Sequence, residues 1–135
     1  MEQKNYLIDT NAAIYYFGTN LSLKSDKFLD HVLTGNYAIS IINWIELLGF
    51  AKLSQQETVT FETFIDNATQ YDMDEAIVLQ TIQIRKEYKT KLPDAIIAAT
   101  CLIYNLTLVS NNIKDFQQIK GLDLVKLNIK PYHGK

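Results

Sequence analysis

The chain reads as an α/β protein built on a central, mainly parallel sheet of about five strands. Short apolar runs alternate along it with longer segments of helical period. Strand-like runs are separated by helix-like ones, so they must be joined by crossovers, which places helices on both faces of a parallel sheet. No Pro/Gly/Ser linker, repeat or low-complexity stretch interrupts the 135 residues. Residues 1–135 therefore read as a single domain, long enough to bury a core.

The elements follow in order. A first strand is expected at Tyr6 to Asp9, then a short helix from about Ala12 to Phe17 that Gly18 stops. Residues Ser25 to Thr34 read as a helix with Phe28, Leu29, Val32 and Leu33 on one face and Gly35 as its cap. Tyr37 to Ile41 reads as the second strand and Asn43 to Lys52 as a buried helix. Ser54-Gln55-Gln56-Glu57 fits a capping box, opening a helix that turns Val59, Phe61, Phe64 and Ile65 inward. A third strand is expected at Ala68 to Met73. Asp74 then N-caps an amphipathic helix to about Tyr88 that buries Ile77, Val78, Ile82 and Ile84. Asp94 to Tyr104 is apolar nearly all round, with Ala95, Ala98 and Ala99 allowing close approach to a sheet. Leu106 to Val109 and Leu122 to Leu127 complete the strands.

Composition narrows the function classes. No run of about 18 uncharged apolar residues exists, which argues against a membrane span. Met1-Glu2-Gln3-Lys4-Asn5 leads into the first strand without the apolar run of a signal peptide. The single Cys101, set among Ala99, Thr100, Leu102 and Ile103, reads as a buried thiol in a reducing cytoplasm. A net charge of −2 does not suit bulk electrostatic binding of nucleic acid. Any polyphosphate contact must be local, and Arg85, Lys86, Lys89 and Lys91 form the best cluster, although a solvated helix face is the more ordinary reading of them. His31 and His133 make no metal-ligand spacing, and there is no Cys/His zinc pattern, Walker loop or GxGxxG.

Four acids stand out because each lies where an apolar segment meets a turn or helix: Asp9, Glu46, Asp94 and Asp115. Each has a plain reading. Asp9 suits an N-cap, Asp94 a helix start after Pro93, and Asp115 a cap for a short helix holding Phe116 and Ile119. Glu46 resists one, since its helical neighbours Ile42, Asn43, Gly49 and Phe50 are a largely apolar stripe. Asp9 ends the first strand and Asp115 follows the fourth, at the sheet edge where crevices form in such folds. Four acids meeting there would raise one another's pKa unless a hard cation held them ionised, which points to a Mg²⁺- or Mn²⁺-dependent hydrolase. Thr10, Ser110 and Asn112 are common turn or capping residues and carry little weight singly.

The segments Leu7-Ile8-Asp9-Thr10-Asn11, Ser40 through Glu46-Leu47, Leu92 through Ala99, and Leu108 through Phe116 together resemble the PIN-domain family. Within it the resemblance is to the VapC-type toxins of type II toxin–antitoxin systems. It implies a three-layer α/β/α fold and divalent-metal-dependent endoribonuclease activity. Asp9, Glu46 and Asp94 would be the core metal-binding acids and Asp115 the fourth. Ser110 and Asn112 would shape the Asp115 loop, and Thr10 would support the site. The cofactor would be Mg²⁺ or Mn²⁺, and in-line attack by activated water would leave a 5′-phosphate and a 3′-hydroxyl. A small antitoxin that occludes the pocket and a homodimer are also implied. One departure is Ser110-Asn111-Asn112, where the family often has Thr-Arg-Asn; it removes a basic residue and bears on substrate preference.

Two other readings compete. A catalytically silent PIN-like RNA-binding module shares the fold, but the presence of all four acids argues against it. A phospho-receiver domain needs paired acids after the first strand, whereas here that strand ends in Asp9 alone. Trp44, Tyr15 or Tyr16 would stack a base if exposed, core packing being the expected fate of Trp44.

Overall fold

The computed structural model describes residues 4–131. Strand β1 (Tyr6–Ile8) leads to helices α1 (Thr10–Phe17) and α2 (Leu23–Leu33), then to β2 (Tyr37–Ser40). Helices α3 (Ile41–Leu48) and α4 (Gln55–Asn67) precede β3 (Thr69–Tyr71), and α5 (Glu75–Glu87) and α6 (Leu92–Tyr104) precede β4 (Thr107–Ser110). A single-turn 3-10 helix (Ile113–Asp115) and β5 (Leu124–Lys126) follow. The strands pair in parallel in the order β3-β2-β1-β4-β5. The chain thus builds outward from β1 to β3, returns, and lays β4 against the other side of β1. That reversal makes a crevice beyond the carboxyl ends of β1 and β4.

Alternation along the central strands divides the core in two. Leu7, Ala38 and Leu108 pack beneath α5 and α6 with Ile77, Ile84, Ile97 and Phe116. Ile8, Ile39 and Val109 face the other way, against Ala12, Leu29, Leu47, Phe61 and Phe64 of α1 to α4. This is the three-layer α/β/α arrangement. Ala95, Ala98 and Ala99 of α6 are fully buried, so small side chains bring that helix close to the sheet.

The local signals act as expected at most helix starts. Ser54 and Glu57 exchange reciprocal bonds of 3.0 Å in a capping box. Asp74 caps α5 by accepting from the Ile77 N–H at 2.8 Å. Several expectations need correction. The second and fourth strands begin or end a residue away from the expected positions, and Thr34 rather than Gly35 caps α2. The helix at Asn43 is not buried as a whole: only Asn43 and Leu47 of α3 are, while Trp44 is 39% and Ile45 61% exposed. Val59, Val78 and Ile82 also face outward. Helical period fixes which residues share a face, but a short helix on a sheet buries a narrower stripe than its apolar content suggests. Cys101 is buried, and burial pushes its thiol far up. Among the described residues no helix is long and apolar enough to cross a membrane. Met1-Glu2-Gln3 and His133 lie outside the described residues.

Candidate active site

Strand β1 delivers Asp9 to the crevice. The Asp9 N–H donates to the Val109 carbonyl at 3.0 Å, which continues the β1–β4 ladder one residue past the strand. The backbone there is extended, so Asp9 is also the N-cap of α1, and its Oδ1 accepts from the Thr10 N–H at 2.9 Å. Its other oxygen accepts from the hydroxyl of Ser110, the last residue of β4, at 2.8 Å. That hydroxyl oxygen in turn accepts from the Asn112 N–H at 3.0 Å. Capping and cleft placement are therefore one geometry. Asp9 is buried, and its pKa is pushed from the usual 3.8 to about 6. Burial is the main cause, the bonds from Ser110 and Thr10 pull the other way, and the charges of Asp94 and Glu46 add to the rise.

Helix α3 delivers Glu46. Its start is fixed by a reciprocal cap in which the Ser40 hydroxyl accepts from the Ile42 N–H at 3.0 Å. The Asn43 side-chain oxygen accepts from the Ser40 N–H at 2.8 Å. Contrary to the buried stripe expected from its neighbours, Glu46 is exposed on the cleft side. Its Oε1 accepts from the Thr10 hydroxyl at 2.6 Å. Gly49 ends α3, where an added Cβ would lie 2.6 Å from the Ile45 carbonyl oxygen, so the chain can leave the helix here only without a side chain.

Helix α6 delivers Asp94 in its first turn, just after Pro93. The carboxylate is half-buried and its pKa is raised, first by burial, then by Asp115 and Glu46; Lys91 opposes the shift. Asp115 closes the single 3-10 turn rather than opening a helix, and the Asn112 side-chain amide donates to its Oδ2 at 2.7 Å. These four acids, carried by four separate segments, line one cleft of about 560 Å³ with Thr10, Asn11, Ile45, Phe50, Lys91 and Asn112. Lys91 is the one cation among its lining residues. Ser110 acts from beneath, through Asp9.

Residues 6–122 match the family described as PIN domain. The chain belongs to the PIN-domain family. This PIN domain is 27% identical over 125 residues to the tRNA(fMet)-specific endonuclease VapC of Shigella flexneri, covering 87% of this chain and 93% of that protein. Its fold is similar to a toxin–antitoxin complex from Klebsiella pneumoniae, at 31% identity and TM-score 0.73, covering 90% of this chain and 96% of that one. It also matches the fold of VapBC2 from Rickettsia felis bound to a promoter DNA fragment, at 24% identity and TM-score 0.77, covering 90% and 98%.

The donor set of this PIN domain suits a hard divalent cation, being four carboxylates and neutral oxygens with no thiolate or imidazole in the cleft lining. Among the described residues, no three His, Cys, Asp or Glu side chains are yet gathered as a ready metal group. Asp9, Glu46 and Asp115 are each held by hydrogen bonds from neighbours. The sequence reading did not single out Asn43, which is fully buried beneath the site. Its signal was the Ser40-Ile41-Ile42-Asn43 spacing, a reciprocal cap with an amide in place of Glu or Gln.

Proposed function

We propose that this chain is a divalent-metal-dependent endoribonuclease and the toxin of a type II toxin–antitoxin pair, its whole length acting as one PIN domain. The observation that carries the reading is the convergence of Asp9, Glu46, Asp94 and Asp115 on one cleft at the sheet's switch point. The endonuclease name of the Shigella flexneri relative and the toxin–antitoxin complex similar in fold support it.

In this reading Asp9, Glu46 and Asp94 hold Mg²⁺ or Mn²⁺, with Asp115 as the fourth acid. A cation bound there would polarise the scissile phosphate and lower the pKa of water beside it. The remaining work falls to the chain itself. Ser110 and the Thr10 N–H fix both oxygens of Asp9, and Asn112 fixes Asp115. Arg85, Lys89, Thr90 and Lys91 form a groove of about 380 Å³ that shares Asp94 and Asp115 with the acidic cleft. Arg85 is held by the Thr90 carbonyl at 2.5 Å. These cations are suited to the flanking phosphates of a single strand, compensating locally for the chain's net charge of −2.

Ile45 and Phe50 form an apolar edge of the acidic cleft, with Trp44 and Val59 exposed elsewhere on α3 and α4. That edge suits an amphipathic antitoxin segment that places an Arg or Lys among the carboxylates. A homodimer and a cytoplasmic location complete the proposal. The test is cleavage of a mixed RNA pool by the purified protein. Activity is expected to vanish in excess EDTA and return with Mg²⁺ or Mn²⁺ but not with Zn²⁺ alone. Co-expression with the neighbouring small protein is expected to relieve growth arrest. EDTA-resistant cleavage, or no cleavage with either metal, overturns the reading.

A further inference from the structure

Beneath the cleft runs a hydrogen-bond chain whose direction is fixed at one end. The Ser40 backbone N–H can only donate, so the Asn43 atom facing it at 2.8 Å is the amide oxygen. The amide nitrogen must then face Thr10, 3.0 Å away, and it too can only donate. The Thr10 hydroxyl has one proton. Having accepted from Asn43, it gives that proton to the Glu46 carboxylate at 2.6 Å. Asn43 is 0% and Thr10 6% exposed, so water does not readily replace either link. The same Thr10 presents its backbone N–H to Asp9. One residue thus ties together an acid just past the end of β1 and an acid on α3.

We propose that Asn43 is a positioning residue which, through the Thr10 hydroxyl, fixes the orientation of Glu46 toward the cleft. The proposal rests on the reading of the cleft as a divalent-cation nuclease site. Glu46 needs such a device more than Asp9 does, because it is exposed and its side chain has more rotatable bonds to restrain. A threonine without the buried amide would be free to turn its proton elsewhere. The amide makes the donor direction compulsory. Outer partners of this kind orient metal-binding side chains, and losing one typically weakens metal affinity about 10- to 100-fold.

The experiment measures Mn²⁺ affinity by the electron paramagnetic resonance signal of free Mn²⁺, alongside RNA cleavage and a melting curve. The proteins are wild type, Asn43→Ala, Thr10→Val, Thr10→Ser and Glu46→Gln, and the first two changes in the Glu46→Gln background. Asn43→Ala and Thr10→Val are each expected to weaken Mn²⁺ binding about tenfold or more. Thr10→Ser restores most of the loss, because it keeps the hydroxyl. In the Glu46→Gln background both changes cost little more, since the chain acts only through that carboxylate. If Asn43→Ala fails to fold, the Thr10→Val and Thr10→Ser pair decides the question alone. Unchanged Mn²⁺ affinity in folded Thr10→Val, or an equal loss with and without Glu46, overturns the positioning role. Wild type that neither binds Mn²⁺ nor cleaves RNA overturns the nuclease reading and this role with it. Wild type that does both while the variants match it overturns this role only.

Discussion

The two walls of the cleft are built differently. On the β1 side, Asp9 and Thr10 are buried and enclosed by donors from Ser110 and Asn43, which are also buried. On the α6 side, Asp94 is half-buried, and its charge is modulated by Asp115, Glu46 and Lys91 rather than by a hydrogen bond. The first wall is made rigid by the sheet itself, because Asp9 and Ser110 sit at the ends of paired central strands. The second opens toward Lys89 and Arg85, where a polyanion would enter. The difference suggests that the fold prepays the geometry of one wall, while the other gains its final shape from the cation and substrate.

Breaking the open wall should have the largest effect. Asp94→Asn is expected to reduce cleavage by more than the roughly 100-fold loss typical of outer-shell groups, with a near-normal melting curve. The amide keeps the helix start and relieves repulsion from Asp115 and Glu46. Cleavage at the wild-type rate would remove Asp94 from the site.

The closed wall should fail as structure before it fails as chemistry. Ser110→Ala withdraws a donor from buried Asp9 and an acceptor from the Asn112 N–H. Urea unfolding should show a loss of about 1–3 kcal/mol. A change within a few tenths would mean that water takes over the serine's place.

Asp9 also sets a pH dependence in metal-free protein. Its folded pKa of about 6 exceeds the usual 3.8, so the folded state holds the proton more tightly than the unfolded chain. This contribution to stability is full below about pH 4 and is lost as pH rises through 6. Melting temperatures of wild type should therefore fall across that window relative to Asp9→Asn, and saturating Mg²⁺ should offset the fall above pH 6. Parallel pH profiles for the two proteins would show that burial of Asp9 costs nothing.

The smallest effect calibrates the others. Ser54→Ala removes the capping box of α4 and should cost about 1 kcal/mol in unfolding while leaving cleavage untouched. Altered cleavage would extend the functional surface to the start of α4.

Much of this contrast was legible in the residues. Strand ends followed by Asp9 and by Ser110-Asn111-Asn112 placed two chemical segments at one sheet edge, because parallel pairing brings neighbouring carboxyl ends together. Helix starts at Ser54 and Asp74 followed from local capping, which needs no tertiary information. Exposure was the weaker inference. Glu46, Trp44, Val59, Val78 and Ile82 lie on helices whose apolar content exceeds what the sheet covers, and period alone does not say which edge of a stripe stays outside. Asn43 escaped notice because its side chain does two jobs at once. Its cap bond is local, but its bond to Thr10 spans 33 positions and depends on how α3 packs against the start of α1.

The central claim, that acids from both walls share one cation, is tested most directly by anomalous diffraction from crystals soaked in Mn²⁺. The account predicts an anomalous peak in the cleft with oxygens of both Asp9 and Asp94 at distances of roughly 2.0–2.6 Å. Protein that cleaves RNA with Mn²⁺, yet shows its only peak away from these two residues or none at saturation, would contradict it.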